Sequence, residues 1–165
     1  MLHVALWEPE IPPNTGNIAR LCAATGSRLH LIGKLGFSID DKQLKRAGLD
    51  YWPAVDLQVH ADWDAFRLAI GQARLWAIDN PAGRLVTEAG FADGDVLLFG
   101  KETTGLPADL KLDPQCRLAI PMMTGIVRSL NLSTAAGIAL YEAYRQIDPT
   151  FARFAAGRSD AVESA

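Results

Sequence analysis

Six short apolar runs, each closed by turn residues, limit what this chain can become: "LHVALW", "RLHLIG", "AVDLQV", "RLWAID", "DVLLFG" and "CRLAIP". Four of them carry three or more consecutive apolar residues rather than one at every second position, the pattern of strands covered on both faces. Helical periodicity fills the gaps between them. "NIARLCAAT" ends at Gly26, and "DDKQLKRA" carries acids first, bases last and stops at Gly48. "DWDAFRLAIGQA" places Trp63, Phe66 and Ile70 at helical spacing. "LSTAAGIALYEAYRQI", the longest, offers Leu132, Ala136, Ile138, Leu140 and Tyr144 to a core. Strands alternating with helices predict an α/β fold with a mostly parallel sheet flanked by helices. No repeat or linker interrupts it, and periodicity fades after Asp148. One domain over residues 1–156 with a frayed tail over 157–165 is expected.

Composition removes several classes. Of 165 residues, 49% are apolar and 21% charged, the balance of an ordinary globular protein. No apolar run approaches the ~20 residues that span a bilayer. "MLHVALWEPE" has neither the basic nor the apolar segment of a signal peptide. Cys22 and Cys116 sit in apolar segments without metal or redox spacing, so a reduced, cytoplasmic setting is expected. The net charge of −3 argues against a surface that grips nucleic acid everywhere. Between Arg20 and Arg46, however, Arg20, Arg28, Lys34, Lys42, Lys45 and Arg46 face only Asp40 and Asp41. This stretch reads equally as a phosphate-binding face and as a solvated helix surface.

In a parallel sheet, ligands collect at the carboxyl ends of the strands. Three such ends carry polar, glycine-bearing loops. The first, "EPEIPPNTGNIAR", holds Asn14, Gly16, Asn17 and Arg20; its prolines are expected to keep the chain extended until Asn14 or Thr15 starts a helix, with Arg20 one turn in and aimed at a cleft. The second, "GKETTGLP", holds Gly100, Glu102 and Gly105. It lacks the Gly-Lys-Ser/Thr of a Walker loop, and no strand is followed by a dinucleotide fingerprint. The third, "IPMMTGIVRSLNLS", holds Gly125, Arg128, Ser129, Asn131 and Ser133. Singly, each has a plain reading: Asn131 or Ser133 as a helix cap, Arg20 as half of a surface ion pair, Glu102 as a turn residue. Glycines here also suit close approach of backbone to a ligand. "GKLG" at Gly33–Gly36 is too short to identify an RNA-binding loop. His3, His30 and His60 are scattered without ligand spacing, and His3 and His30 fall in strand patterns. No metal site and no Ser-His-Asp set is present in the pattern.

Taken together, "NTGNIARLCAATG", "FGKETTGLP" and "IPMMTGIVRSLNLSTAAGIALYEAYRQ" resemble the three ordered motifs of the SPOUT methyltransferases. "LWEPEIPPNTGNIAR" and "KRAGLDYW" narrow the resemblance to the small tRNA (cytidine/uridine-2′-O)-methyltransferases that modify the wobble ribose in the anticodon loop. It runs from Leu2 to about Ile147, nearly the whole chain. It implies a C-terminal trefoil knot, a homodimer with the active site near the subunit interface, and S-adenosylmethionine as cofactor without a metal. Cofactor contacts are implied at Ile78, Gly100, Ile120, Ser129 and Leu130. Arg20 matches the catalytic arginine, Asn14, Glu102 and Asn131 its supporting polar positions, and Tyr141 a tyrosine serving the site or the dimer. Lys101 departs from the proline or serine common at that position, as a cation that would touch RNA phosphate or lie exposed. The same chemistry on ribosomal RNA and a non-catalytic RNA- or cofactor-binding module are the rival readings.

Overall fold

A computed structural model describes residues 1–38 and 52–152. "DDKQLKRA", with Lys42, Lys45 and Arg46, and the tail at 157–165 lie outside the described residues.

The apolar runs form the strands. β1 (His3–Trp7), β2 (Arg28–Ile32), β3 (Leu57–His60), β4 (Leu75–Ile78), β6 (Val96–Phe99) and β7 (Arg117–Ala119) correspond to the six runs. A short β5 (Arg84–Leu85), which carries no apolar run, adds an edge. The strands make a seven-stranded sheet in the order β3-β2-β1-β6-β4-β7-β5, with parallel pairing throughout. β3 starts later than "AVDLQV" suggests, because Trp52–Ala54 closes into a single 3-10 turn.

Both faces are covered, which explains the unbroken apolar runs. On one face Leu2, Val4, Leu6, Leu29, Leu97 and Phe99 pack with Ile18 and Cys22 of α1 (Pro12–Thr25) and Ala136 and Leu140 of α3 (Leu132–Ile147). On the other, Ala5, Ile32, Ala77, Val96 and Leu98 pack on Phe66 of α2 (Trp63–Ile70). Burying a Leu or Phe side chain contributes about 1.5–3 kcal/mol, so these two layers supply most of the driving force. Tyr144 joins α3 to the end of α1: its buried hydroxyl meets Ser27 Oγ at 2.8 Å and donates to the Thr25 carbonyl at 3.1 Å.

Two local expectations need correction. α1 begins at Pro12, with Ile11 as its N-cap, so Pro12 and Pro13 are helical rather than extended. The proline ring already holds the helical φ, and its missing N–H is one that a first turn leaves unpaired anyway. Asn14 and Thr15 are therefore inside the helix, and Arg20 lies beyond its second turn. On α3, Ala136, Ala139, Leu140, Ala143 and Tyr144 face the core, while Ile138 is 41% exposed. The helix presents small residues to its neighbours and leaves an apolar side chain outside.

Candidate active site

The sheet order reverses between β2 and β6, the two neighbours of β1. That reversal sets the β1–α1 loop beside the loop after β6, and three consecutive residues of the second loop hold the first. Lys101 Nζ meets Glu8 Oε2 at 2.7 Å, and Thr103 Oγ1 donates to Glu10 Oε2 at 2.6 Å. Between them, Glu102 accepts from the Glu10 N–H at 2.8 Å, the Ile11 N–H at 3.2 Å and Asn14 Nδ2 at 2.9 Å. Ile11 has no side-chain oxygen with which to cap α1. A carboxylate from a loop some 90 residues downstream holds the start of that helix instead, a favourable end for a negative charge.

Asn14 passes the connection on. Its Oδ1 accepts from Asn131 Nδ2 at 2.9 Å, while Asn131 Oδ1 caps α3, accepting from Ser133 N at 2.9 Å and Thr134 N at 3.4 Å. Asn131 is thus a helix cap and a site residue at once, because its two amide atoms serve different partners. The chain Glu102–Asn14–Asn131 ties the three motif loops into one wall.

Behind that wall lies a cleft of about 450 Å³. Ile78, Gly100, Ile120, Ser129 and Leu130 all line it, with Asn14, Glu102 and Asn131. Phe99 and Met122 add apolar surface, and Asp79, Lys101 and Arg128 add charge. Arg20 and Tyr141 are not brought there. Arg20 is exposed on α1. Tyr141, half-exposed on α3, lines a separate groove with Val86, Pro121, Ile138, Arg145 and Phe151.

Three readings change with the geometry. A Cβ on Gly100 would lie 2.1 Å from the Gly105 carbonyl carbon, so this glycine admits the protein's own loop, which the Lys101–Gly105 bridge closes. Gly36 likewise faces the backbone of Glu10, with a Cβ contact of 2.8 Å, which gives "GKLG" a packing role. Lys101 is not simply exposed; its pair with Glu8 holds that carboxyl below its usual pKa. Arg28, part of the basic stretch, is engaged by Asp56 at 2.7 Å.

Sequence reading missed Asp79 and Asn80, which follow the apolar strand β4 and carry no glycine signal. Asn80 Nδ2 donates to the Ile120 carbonyl at 3.1 Å and its Oδ1 accepts the Ile120 N–H at 3.2 Å, extending the β4–β7 ladder past the strand ends. It also missed the histidines' arrangement. His3 Nδ1 and His30 Nε2 lie 2.9 Å apart, as do His30 Nδ1 and His60 Nε2, in one row across β1, β2 and β3. Burial, then the neighbouring His3 and His60, press the pKa of His30 down to about 3. Among the described residues no cluster of side chains fits a metal ion, and no helix is long and apolar enough to cross a membrane.

A parallel α/β sheet with a cleft assembled from loops at its carboxyl edge defines an α/β protein with a small-molecule site at the strand ends. The chain belongs to the SpoU rRNA Methylase family, whose model matches residues 1–141. It is 50% identical over 150 residues to the tRNA (cytidine(34)-2′-O)-methyltransferase of Methylovorus glucosotrophus (strain SIP3-4), covering 90% of this chain and 97% of that protein. Among solved structures, one described as giving insight into 2-OH methylation of C/U34 on tRNA superposes with a TM-score of 0.83 at 51% identity, covering 88% of this chain and 95% of the other. The SpoU methyltransferase AviRb from Streptomyces viridochromogenes, in complex with AdoMet, superposes with a TM-score of 0.75 at 27% identity, covering 88% of this chain and 60% of that one.

Proposed function

We propose that the chain transfers a methyl group from S-adenosylmethionine to the 2′-hydroxyl of the wobble ribose, cytidine or uridine at position 34, in the tRNA anticodon loop. The observation that carries this reading is the meeting of all three motif loops around one cleft, in a chain half identical to enzymes of that activity.

The cleft suits the cofactor. Its volume lies in the ~300–1,000 Å³ range of small-molecule sites. Ile78, Phe99, Ile120, Met122 and Leu130 provide apolar walls for a purine, and Gly100 and Ser129 contribute polar backbone at its rim. When bound, the cofactor supplies an electrophilic methyl on a sulfonium; the protein supplies orientation and electrostatics. Glu102, Asn14 and Asn131 keep the loops in register. Arg20 holds the phosphate beside the target ribose and stabilises the alkoxide as it develops. Guanidinium groups stay protonated in proteins, so the hydroxyl's proton goes to that phosphate or to water.

Arg20 stands off this protomer's cleft, and the same proposal therefore includes a homodimer in which it serves the partner's site. Apolar Ile138 and Tyr141, exposed on α3, are surfaces that a second copy would cover. The trefoil knot belongs to the proposal too: β7 enters the sheet between β4 and β5, both earlier in the chain. A reduced, cytoplasmic setting accords with Cys22 and Cys116 as free thiols.

The test is transfer of labelled methyl from S-adenosylmethionine into bulk tRNA and, separately, into ribosomal RNA. A 2′-O-methyl group blocks alkaline cleavage, so label in an alkali-resistant dinucleotide from tRNA, lost in Arg20→Ala, is the expected result. Label confined to ribosomal RNA would keep the enzyme and change its substrate. For Arg20→Lys, a restored rate with a new, lower pKa would make the arginine a base and overturn its electrostatic role. Light scattering of Ile138→Asp, expected to be monomeric, tests the dimer.

A further inference from the structure

Four charged side chains line the cleft, and three are accounted for differently from the fourth. Glu102 has its oxygens filled by two backbone N–H groups and Asn14. Lys101 is paired with Glu8. Arg128 stands exposed on the third loop. Asp79 sits at the end of β4, directly after Ile78, with its backbone N–H anchored on the Leu118 carbonyl at 2.9 Å. Its Oδ2 accepts from the Arg117 guanidinium, and its Oδ1 makes no hydrogen bond among the described residues. Oδ1 lies over Gly105, 3.8 Å from where a Cβ there would stand. Gly105 has φ +72°, so the position favours the one residue that leaves this space open.

We propose that Asp79, oriented by Arg117, accepts hydrogen bonds from the vicinal ribose hydroxyls of S-adenosylmethionine and so selects a ribonucleoside cofactor. This rests on the proposal that the cleft binds S-adenosylmethionine. The cofactor offers this carboxylate three kinds of partner: a cationic group, the adenine 6-amino group or the ribose diol. Arg117 already neutralises Asp79 at contact distance, which lowers its value as a counter-charge and leaves it a strong acceptor. The cofactor's own carboxylate is repelled. Of the two neutral donors, the diol presents adjacent hydroxyls to a carboxylate, and acidic side chains at strand ends meet ribose hydroxyls in other α/β folds.

Calorimetric titration with S-adenosylhomocysteine tests this without turnover. Wild-type protein, Asp79→Ala and Asp79→Asn are compared, each with the intact ligand, its 2′-deoxy and 3′-deoxy forms, and 5′-methylthioadenosine, which lacks the amino-acid end. Asp79→Ala is expected to weaken S-adenosylhomocysteine roughly 10- to 100-fold, the scale of a lost hydrogen bond to a charged acceptor. At least one deoxy ligand should lose a similar factor on the wild type and almost nothing further on Asp79→Ala. Methylthioadenosine should suffer the Asp79→Ala penalty in full. Equal penalties for intact and deoxy ligands on the variant would overturn the proposal, since a loosened loop lacks that coupling. A penalty that vanishes with methylthioadenosine would place Asp79 at the cofactor's ammonium and overturn it as well. Asp79→Asn keeps the side-chain volume and guards against a folding defect, with an intermediate loss expected. Failure of the wild type to bind S-adenosylhomocysteine would sink the cofactor reading itself, whereas binding without coupling sinks this inference alone.

Discussion

Two carboxylates at opposite ends of the sheet show how one fold uses the same group for different ends. Asp95, at the amino end beside β6, is buried and takes four hydrogen bonds: two from Arg74, at 3.0 and 2.7 Å, one from Trp76 Nε1 at 2.8 Å and one from the Ala92 N–H at 2.9 Å. All its partners come from within about twenty residues of chain. Glu102, at the carboxyl end, takes three, all from residues some 90 positions away, and borders an open cleft. Asp95 satisfies buried donors and its loss is a cost to the fold. Glu102 fixes loops relative to one another, and its loss is a cost to geometry.

This contrast can be broken by experiment. The largest stability effect is expected for Asp95→Ala, about 2–3 kcal/mol in urea unfolding, because the Trp76 N–H and the Ala92 N–H lose their acceptor in the interior. Affinity for S-adenosylhomocysteine should be unchanged in the protein that remains folded. Glu102→Gln should do the reverse, losing about 1 kcal/mol of stability but roughly 10- to 100-fold in methyl transfer. Equal stability losses in both variants would erase the distinction.

A third region, the histidine row, adds a pH dependence that neither carboxylate explains. The His30 pKa is depressed to about 3, first by burial, so the unfolded chain binds its proton more readily than the native one. Stability is then fully present above the unfolded value near 6.5 and declines as pH falls toward 3, at a slope of at most about 1.4 kcal/mol per pH unit for one proton. Unfolding curves between pH 7.5 and 5 should show this slope, and His30→Gln should reduce it to the part left by His3 and His60, whose pKa values burial also lowers. Glu8, lowered chiefly by its bond to Lys101, contributes only further down, as pH falls through the carboxylate range. A stability curve flat between pH 7.5 and 5 would count against the row as drawn.

The smallest effect is expected for Lys101→Ala. Its pair with Glu8 is partly exposed, so the melting temperature should barely move. The dependence of log K for tRNA on log salt should keep its slope; a fall of roughly 0.7–0.9 would mean that Lys101 meets a phosphate after all.

Much of the fold is visible in the linear pattern because its signals are local. A strand buried on both faces is mostly apolar, and Asn131 or Ser133 at the head of "NLSTAAGIAL" offers a helix cap. The positions implied at Ile78, Gly100, Ile120, Ser129 and Leu130 fall on one cleft because Ile78 ends β4, Gly100 and Ile120 directly follow β6 and β7, and Ser129 and Leu130 directly precede the cap of α3. Arg20 was harder, since its direction depends on where α1 begins, and two prolines read as extended proved to be helical. Asp79 carries no motif, and its significance comes from Arg117, far off in sequence and adjacent only through the β4–β7 pairing.

Residue order by itself located the six longer strands and the three described helices, because hydrophobic period, caps and glycine stops act over a few residues. It also carried the family resemblance, through motifs whose order and spacing survive without coordinates. The tertiary structure alone decided that the missing Cβ of Gly100 makes room for Gly105, that three separated histidines share one hydrogen-bonded row, and that Glu102 closes a helix in another motif. Each of these depends on strand order and register, and those are settled by which faces can be buried together rather than by any short stretch of chain.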